Sequence, residues 1–182
     1  MKKYLFILFF ILFNSEALAS IKENIVYNLN NIDNIFFKFE QNINGKTENG
    51  ECIIQYPKKI FCKYNLKNKK ILVSNGKSLV IKSLSSYYLY PLDKTPLDLI
   101  LDKNFLIRAI NNSDERIIED KFINYSFSEK DNEINIFFDK NTYELIGWQT
   151  LDIYQNLSIT FISSIIKNQK LKKNLFEIPK QN

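Results

Sequence analysis

The side chains that most often carry out chemistry in proteins are sparse in this sequence. Its 182 residues include no histidine, which removes the commonest general base and the commonest metal ligand. A Cys-x-x-Cys motif and a glycine-rich phosphate-binding loop are also absent. Asp93, Asp98 and Asp102 could suggest a metal site, but helix capping and solubility explain them better. We therefore expect a protein that is not an enzyme and that holds no metal or cofactor.

The two cysteines, Cys52 and Cys62, flank a predicted hairpin that turns near Pro57. A turn with an odd number of residues would place both on one face, where a disulfide could form after export to an oxidising compartment. A turn with an even number would place them on opposite faces and forbid the bond. Two free buried thiols are the second possibility, and a redox or metal role is the third.

Residues 90–101 predict one short apolar helix in a chain that otherwise reads as strands. Thr95 is a suitable N-cap, Pro96 fits the first helical position, and Asp98 lies in the first turn. Leu97, Ile100 and Leu101 follow at helical spacing and would share one face. A short apolar helix over a curved sheet would close a cavity for an apolar ligand.

The predicted elements around this segment are one N-terminal helix at residues 21–32 and a long series of strands. Polar residues 42–50 predict a loop, and Asn75-Gly76 predicts a tight hairpin. A second short helix is expected soon after residue 104. The predicted strands are residues 37–41, 52–56, 60–64, 71–74, 77–82, 87–92, 122–127, 134–138, 145–151, 157–166 and 175–178.

Strands joined by short turns predict an antiparallel sheet, and nine to eleven of them would curl or close. Three sets of alternating apolar residues would line its inner face: Phe37 with Phe39; Ile134 with Ile136 and Phe138; and Ile159 with Phe161. That face could be a packed core or the wall of a cavity, and periodicity does not separate the two. Trp148 is predicted to be a core side chain near a bend at Gly147.

The N-terminus resembles an export signal. Lys2 and Lys3 precede an apolar run at residues 4–13, and Ala17-Leu18-Ala19 fits a cleavage site. We predict a signal peptide at residues 1–19 and a single domain at residues 20–182, with an uncleaved anchor as the alternative. Ser20 would be first after cleavage, whereas a lipoprotein needs Cys there, so the mature protein is expected to be soluble in the periplasm.

The formal net charge of +5 is spread along the chain. Lys67, Lys69 and Lys70 are predicted to form a solvated turn. Nothing in this distribution resembles a nucleic-acid-binding surface.

An ordered set of residues resembles the periplasmic outer-membrane lipoprotein carrier (LolA) family. The set is Phe37-x-Phe39-x-Gln41, Gly50, Tyr56-Pro57, Tyr64, Val73-Ser74-Asn75-Gly76-Lys77, Tyr90, Leu92-x-x-Thr95-Pro96-Leu97, Trp148, Asp152, Thr160 and Leu175-Phe176-x-Ile178-Pro179. The resemblance covers nearly all of the chain after the signal peptide.

The resemblance implies an α+β, mainly β fold: an incomplete, strongly curved antiparallel β-barrel with an α-helical lid. It also implies a monomeric carrier of acylated lipoproteins. An ABC-type transporter of the inner membrane would supply this cargo, and the outer membrane or a receptor there would accept it. The alternative is a periplasmic lipid- or lipopeptide-binding sensor or regulatory module on the same fold.

One position departs from the family pattern. Members often carry Arg before the proline of the second hairpin, where it helps to hold the lid closed, and this chain has Tyr56. A phenol has one donor and a guanidinium five, so lid closure here is expected to rest more on apolar contact. The predicted lipid-binding residues are Phe37, Phe39, Ile54, Tyr56, Ile60, Tyr64 and Tyr90 on strands, with Leu97, Ile100 and Leu101 on the lid.

Overall fold

The computed structural model describes residues 19–129, 132–152 and 155–181. The predicted signal peptide at residues 1–19 therefore lies outside the described residues except for Ala19. Within the described ranges, eleven strands form one antiparallel sheet. The mainly β, antiparallel prediction is confirmed.

The strands follow one another through mostly short turns. They are β1 (Asn34–Ile43), β2 (Lys46–Gln55), β3 (Lys59–Tyr64), β4 (Ile71–Asn75), β5 (Ser78–Lys82), β6 (Tyr87–Pro91), β7 (Arg116–Ile118), β8 (Phe122–Glu129), β9 (Asn132–Asp139), β10 (Leu145–Leu151) and β11 (Leu157–Lys167). Their order in the sheet is β6-β5-β4-β3-β2-β1-β11-β10-β9-β8-β7.

Pairing of β1 with β11 joins the two halves of the sheet in its centre. The two edges are β6 and β7, which do not pair with each other in the described chain. The sheet is therefore open and curved, with both edges left free.

Three α-helices are found among the described residues: α1 (Ile21–Asn30), α2 (Leu97–Ile100) and α3 (Lys103–Asn111). Ser20 and Glu23 form a reciprocal capping box at the start of α1, which satisfies two backbone donors. The Asp102 carboxylate accepts a hydrogen bond from the Phe105 N–H at the start of α3, at 3.0 Å. Local sequence thus starts both longer helices.

The apolar sides of α1 and α3 pack into the main hydrophobic core. Ile25 and Leu29 of α1 and Leu106 and Ile110 of α3 are almost completely buried. They belong to the same cluster as the apolar residues of one sheet face. The two helices therefore cover part of that face and leave another part to α2.

The predicted loop at residues 42–50 is wrong. Strands β1 and β2 continue to Ile43 and from Lys46, and only Asn44 and Gly45 lie between them. Both have positive φ, at 49° and 83°, as a two-residue hairpin turn requires. The polar residues around them belong to the strands.

The predicted inner position of Ile159 and Phe161 is also wrong. Ile162 pairs with Phe39, and the buried residues of β11 are Ser158, Thr160 and Ile162. Phe161 is 50 % exposed and stacks on Phe137. The other two predicted sets, those of β1 and β9, are buried as expected.

Two further local predictions are wrong. Thr95 does not cap α2, since Pro96 lies at the N-cap position instead of the predicted first helical position. The backbone N–H of Thr95 donates to the Leu92 carbonyl at 2.9 Å and closes a 3₁₀ turn at Leu92–Lys94, and the Thr95 hydroxyl donates to the same carbonyl at 2.8 Å. Residues 175–178 do not form a strand. Asn174 has a φ of 65° and its carbonyl accepts from the Glu177 N–H, so the chain turns there.

Candidate functional site

A cavity of about 390 Å³ lies between the sheet and the segment that carries α2. We call residues 92–101 the α2 segment; they comprise the 3₁₀ turn, Thr95, Pro96, α2 and Leu101. Thr95, Pro96 and Leu97 supply its side of the cavity. Strands β1 to β6 supply most of the opposite wall, and β10, β11 and residues of the connecting turns, such as Lys70 and Ser83, contribute the rest.

An apolar row crosses the first six strands beneath the cavity. Strand pairing aligns Phe37 with Cys52, Cys52 with Cys62, Cys62 with Leu72, Leu72 with Ile81, and Ile81 with Tyr88. Paired residues point to the same face, and all members of this row line the cavity. The continuous register therefore forms an apolar floor.

Six of the ten predicted lipid-binding residues line this cavity. They are Phe37, Phe39, Ile60, Tyr64, Tyr90 and Leu97. The structure brings them together from three strands of one half of the sheet and the α2 segment. Their contact with lipid stays a prediction.

The other four predicted residues lie elsewhere. Ile54, Ile100 and Leu101 are buried in the hydrophobic core and do not line the cavity. Because α2 is a single turn, it presents Leu97 to the cavity while Ile100 and Leu101 pack inward. Tyr56 follows the end of β2 and lines a separate small pocket beside Leu29 of α1.

Sequence reasoning missed several apolar residues of the cavity. Leu72, Leu79, Ile81 and Tyr88 line it from β4, β5 and β6. They alternate with residues of the opposite face in predicted strands, so strand parity could have identified them. Trp148 is 6 % exposed and meets Phe37 edge-to-face, which fits the predicted core role, but it also lines the cavity.

Cys52 and Cys62 form a disulfide, with an S–S distance of 1.99 Å and a Cα–Cα distance of 4.1 Å. Ile54 pairs with Ile60 on the same hairpin, and Gln55 pairs with Lys59. The turn therefore has three residues, an odd number, which places both cysteines on one face. Neither is a free thiol, and the disulfide belongs to the cavity floor.

Lys58 connects the turn between β2 and β3 to the α2 segment. Its ammonium group lies 2.7 Å from Asp98 Oδ1 and 3.9 Å from Asp102 Oδ2. Its backbone N–H donates to the Leu101 carbonyl at 2.8 Å. The hydrogen bond from Lys58 to Asp98 raises the pKa of Lys58, against a smaller opposing effect of desolvation.

The expectation that lid closure rests more on apolar contact stays a prediction, but this turn also makes a polar contact with the α2 segment. Tyr56 does not supply the polar contact, but Lys58, two residues later, does. Burial raises the pKa of Tyr56 above its ordinary value, so its phenol stays neutral. We call the contact of Lys58 with Asp98 the lysine latch.

A polar wall lies at one end of the cavity. Gln41, Glu48, Ser158 and Thr160 all line it, and strand pairing aligns Gln41 with both Glu48 and Thr160. Gln41 Nε2 donates to Ser158 Oγ at 3.0 Å and to Thr160 Oγ1 at 3.3 Å. We call these four residues the polar wall.

Lys67 and Lys69 are exposed, as the predicted solvated turn requires, but Lys70 is not and extends the polar region of the cavity. Its ammonium group contacts Glu48 Oε2 at 2.5 Å and lies 4.1 Å from the centre of the Tyr64 ring. Burial, followed by the Glu48 charge, raises the pKa of Tyr64. Tyr64 is therefore a neutral phenol, and its hydroxyl donates to Gln41 Oε1 at 3.4 Å.

Two kinds of feature are absent from the described residues. No group of three or more His, Cys, Asp or Glu side chains is placed there to hold a metal ion. In the same part of the chain, no helix has the length and apolar character needed to cross a membrane.

Comparison with a family model shows to which protein family this chain belongs. The model described as outer membrane lipoprotein carrier protein LolA matches residues 30–179, which include every strand of the sheet. The chain belongs to the LolA family. No curated protein matches the sequence.

Solved structures of other proteins share the fold of this chain. An uncharacterized conserved protein from Thermus thermophilus has a TM-score of 0.50 and 8% identity, with 88% of this chain and 93% of that chain covered. A chain of the MucA/MucB complex of Pseudomonas aeruginosa has a TM-score of 0.50 and 10% identity. That match covers 88% of this chain and 62% of the chain in the complex. At such identities the likeness concerns the fold alone.

Proposed function

We propose that this LolA family member carries acylated lipoproteins across the periplasm. It would receive them from an ABC-type transporter of the inner membrane and deliver them to the outer membrane or a receptor there. The observation that carries the proposal is the cavity of about 390 Å³ over the apolar row. In this proposal residues 1–19 are a cleaved signal peptide, the chain acts as a monomer, and no chemical step takes place.

The energetics of acyl chains explain why such a carrier needs an apolar cavity. Exposure of an acyl chain to water costs about 0.8 kcal/mol per methylene, so a chain of roughly fifteen methylenes costs on the order of 12 kcal/mol. Contact with Phe37, Ile60, Leu72 and Tyr90 would offset most of this cost. The carrier therefore lowers the barrier to transport by binding alone.

The α2 segment is the proposed lid of this cavity. Leu97 faces the cavity, while Ile100 and Leu101 anchor the same segment in the core. The lysine latch adds one ion pair with the turn between β2 and β3. Movement of this short segment would admit and release cargo without unfolding the sheet.

The decisive experiment is transfer of a triacylated lipoprotein from inner-membrane vesicles to the purified protein. We expect the wild type to solubilise the lipoprotein and Leu97→Asp to lose at least about tenfold in cargo binding, because burying an unpaired carboxylate against acyl chains is costly. The matched control is Ile117→Asp, which places the same charge at an exposed position of β7. Normal transfer by Leu97→Asp would show that α2 is not part of the cargo-binding site.

The second candidate is a periplasmic lipid- or lipopeptide-binding sensor or regulatory module. The fold likeness to MucB, whose structure was solved in complex with MucA, is the observation that favours it. Mass spectrometry of co-purifying molecules separates the two candidates when combined with the transfer assay. Bound lipid without any transfer of lipoprotein would favour the sensor.

A further inference from the structure

The polar wall is unusual because it faces a cavity whose floor is apolar. Ser158 and Thr160 are almost completely buried, and each hydroxyl oxygen accepts a hydrogen bond from Gln41. Among the described residues, neither hydroxyl donates to a protein acceptor. Each therefore has a proton available for a ligand in the cavity.

The orientation of Gln41 is set by its neighbours. Tyr64 donates to its carbonyl oxygen, and both amide protons are directed to the hydroxyls of Ser158 and Thr160. Because burial raises the pKa of Tyr64, this phenol keeps its proton. The chain of donors thus runs from Tyr64 through Gln41 to the two hydroxyl groups.

The charges beside these hydroxyls are already compensated. Glu48 pairs with the largely buried Lys70, while Lys46, whose ammonium group lies 3.9 Å from the other oxygen of Glu48, has a side chain that is 79% exposed to solvent. The end of the cavity therefore presents hydroxyl donors beside an internally balanced ion pair. Such a surface suits a neutral acceptor better than a charged group.

We propose that Ser158 and Thr160 form a subsite for the carbonyl oxygen of an ester- or amide-linked acyl chain. The carbonyl accepts from the hydroxyls, and the methylenes extend over the apolar row of Phe37, Cys52, Cys62 and Leu72. This subsite rests on the proposed function and adds that the acyl chain lies in the cavity in one orientation, with its carbonyl at the polar wall. It also predicts a preference for acyl esters over ethers of equal length.

The test compares a palmitoyl monoacylglycerol with a hexadecyl monoalkylglycerol, which lacks the carbonyl. Displacement of the apolar probe diphenylhexatriene from the purified protein gives the affinity of each. We expect the wild type to bind the ester about tenfold more tightly, as one or two additional hydrogen bonds predict. The double variant Ser158→Ala, Thr160→Val should bind both compounds with equal affinity.

The ether is also the control for folding. Its affinity should be unchanged in the double variant, and loss of the preference together with retained ether binding supports the subsite. Ser158→Ala alone is expected to lose part of the preference. Ser163→Ala, an exposed hydroxyl on the same strand, should keep all of it.

Three outcomes contradict the proposals: the first two concern the subsite alone, and the third concerns the proposed function as well. Equal wild-type affinity for ester and ether, or a preference that survives in the double variant, would overturn the subsite and leave the carrier proposal intact. Failure of the wild type to bind either compound would overturn the proposed acyl-binding function, and the subsite with it.

Discussion

Gly50 is the residue that most directly allows Phe39 and Tyr64, two aromatic residues that line the cavity, to meet. It lies on β2 between Phe39 of β1 and Tyr64 of β3, whose rings meet edge-to-face with centroids 5.0 Å apart. A Cβ at this position would lie 2.2 Å from the Lys63 carbonyl oxygen and 2.9 Å from the Phe39 ring. The missing side chain therefore allows this contact.

We expect Gly50→Ala to destabilise the protein by about 1–3 kcal/mol or more, because an added methyl has no space and the strand must shift. Urea denaturation followed by circular dichroism measures this change. The matched control is Gly45→Ala, at a turn with positive φ but no atom within 4 Å of the added Cβ. A smaller loss at Gly50 than at Gly45 would contradict the packing argument.

At the scale of elements, two kinds of bond hold together the hairpin of β2 and β3. Its strands pair by backbone hydrogen bonds, and the disulfide joins Cys52 to Cys62 with a sequence separation of 10. In the chain-entropy model a loop of this length stabilises the folded state by roughly 2–3 kcal/mol. This stabilisation acts on the part of the sheet that carries the cavity floor.

We expect the double variant Cys52→Ala, Cys62→Ala to unfold at a lower urea concentration than the wild type, with a loss of about 2–3 kcal/mol. The experiment compares both proteins with and without dithiothreitol. The reductant should lower the stability of the wild type toward that of the variant and leave the variant unchanged. Equal stability of the wild type in both conditions would contradict the prediction.

The lysine latch links two elements and has a predictable pH dependence. The Asp98 hydrogen bond raises the pKa of Lys58 above its ordinary value of 10.5. Because the folded-state pKa is the higher one, the stabilisation is fully present below pH 10.5 and is lost as the pH rises through the raised value. The relevant window is therefore alkaline.

We expect Lys58→Met to lose about 1–3 kcal/mol of stability at about pH 8, as for a hydrogen bond between charged groups. The difference from the wild type should shrink above pH 10.5. Urea denaturation at several pH values measures it, with Lys63→Met, an exposed lysine of the same hairpin, as the control. A difference that stays constant far into the alkaline range would contradict the role of the charge.

At the scale of the whole molecule, local patterns predicted most of the sheet. Asn75-Gly76 marked its hairpin correctly, and apolar alternation located β9 and β10. Asn44-Gly45 makes a two-residue hairpin turn with positive φ at both positions, but the sequence does not reveal it, because polar residues at the ends of β1 and β2 resemble a loop. Strand existence was therefore easier to predict than strand length.

The candidate site was less predictable because long-range pairing decides it. Thr160 faces inward only because β11 pairs with β1 and places it beside Gln41, and local alternation favoured Phe161 instead. The lysine latch joins residues 40 positions apart, which no local pattern reveals. Strand parity located five of the six predicted lipid-binding residues that line the cavity. The predicted helix face placed only Leu97 there, because α2 is one turn long.

The whole-molecule consequence of the latch concerns cargo release. In the proposed carrier, release requires the α2 segment to move away from the cavity, which breaks the Lys58–Asp98 ion pair. A loss of about 1–2 kcal/mol from the closed state corresponds to a factor of roughly 5–30 in an equilibrium. We expect Lys58→Met to speed transfer of a fluorescent acyl ester to vesicles by up to about that factor.

Stopped-flow fluorescence measures the transfer rate, and Lys58→Arg is the matched control because it keeps the positive charge. The two readouts of Lys58→Met then distinguish the roles of the latch. If Lys58→Met releases cargo faster while the open state keeps its affinity for cargo, the lysine latch controls the opening of the α2 segment. Lower stability with an unchanged release rate would mean that the ion pair holds the fold together while cargo leaves by another route.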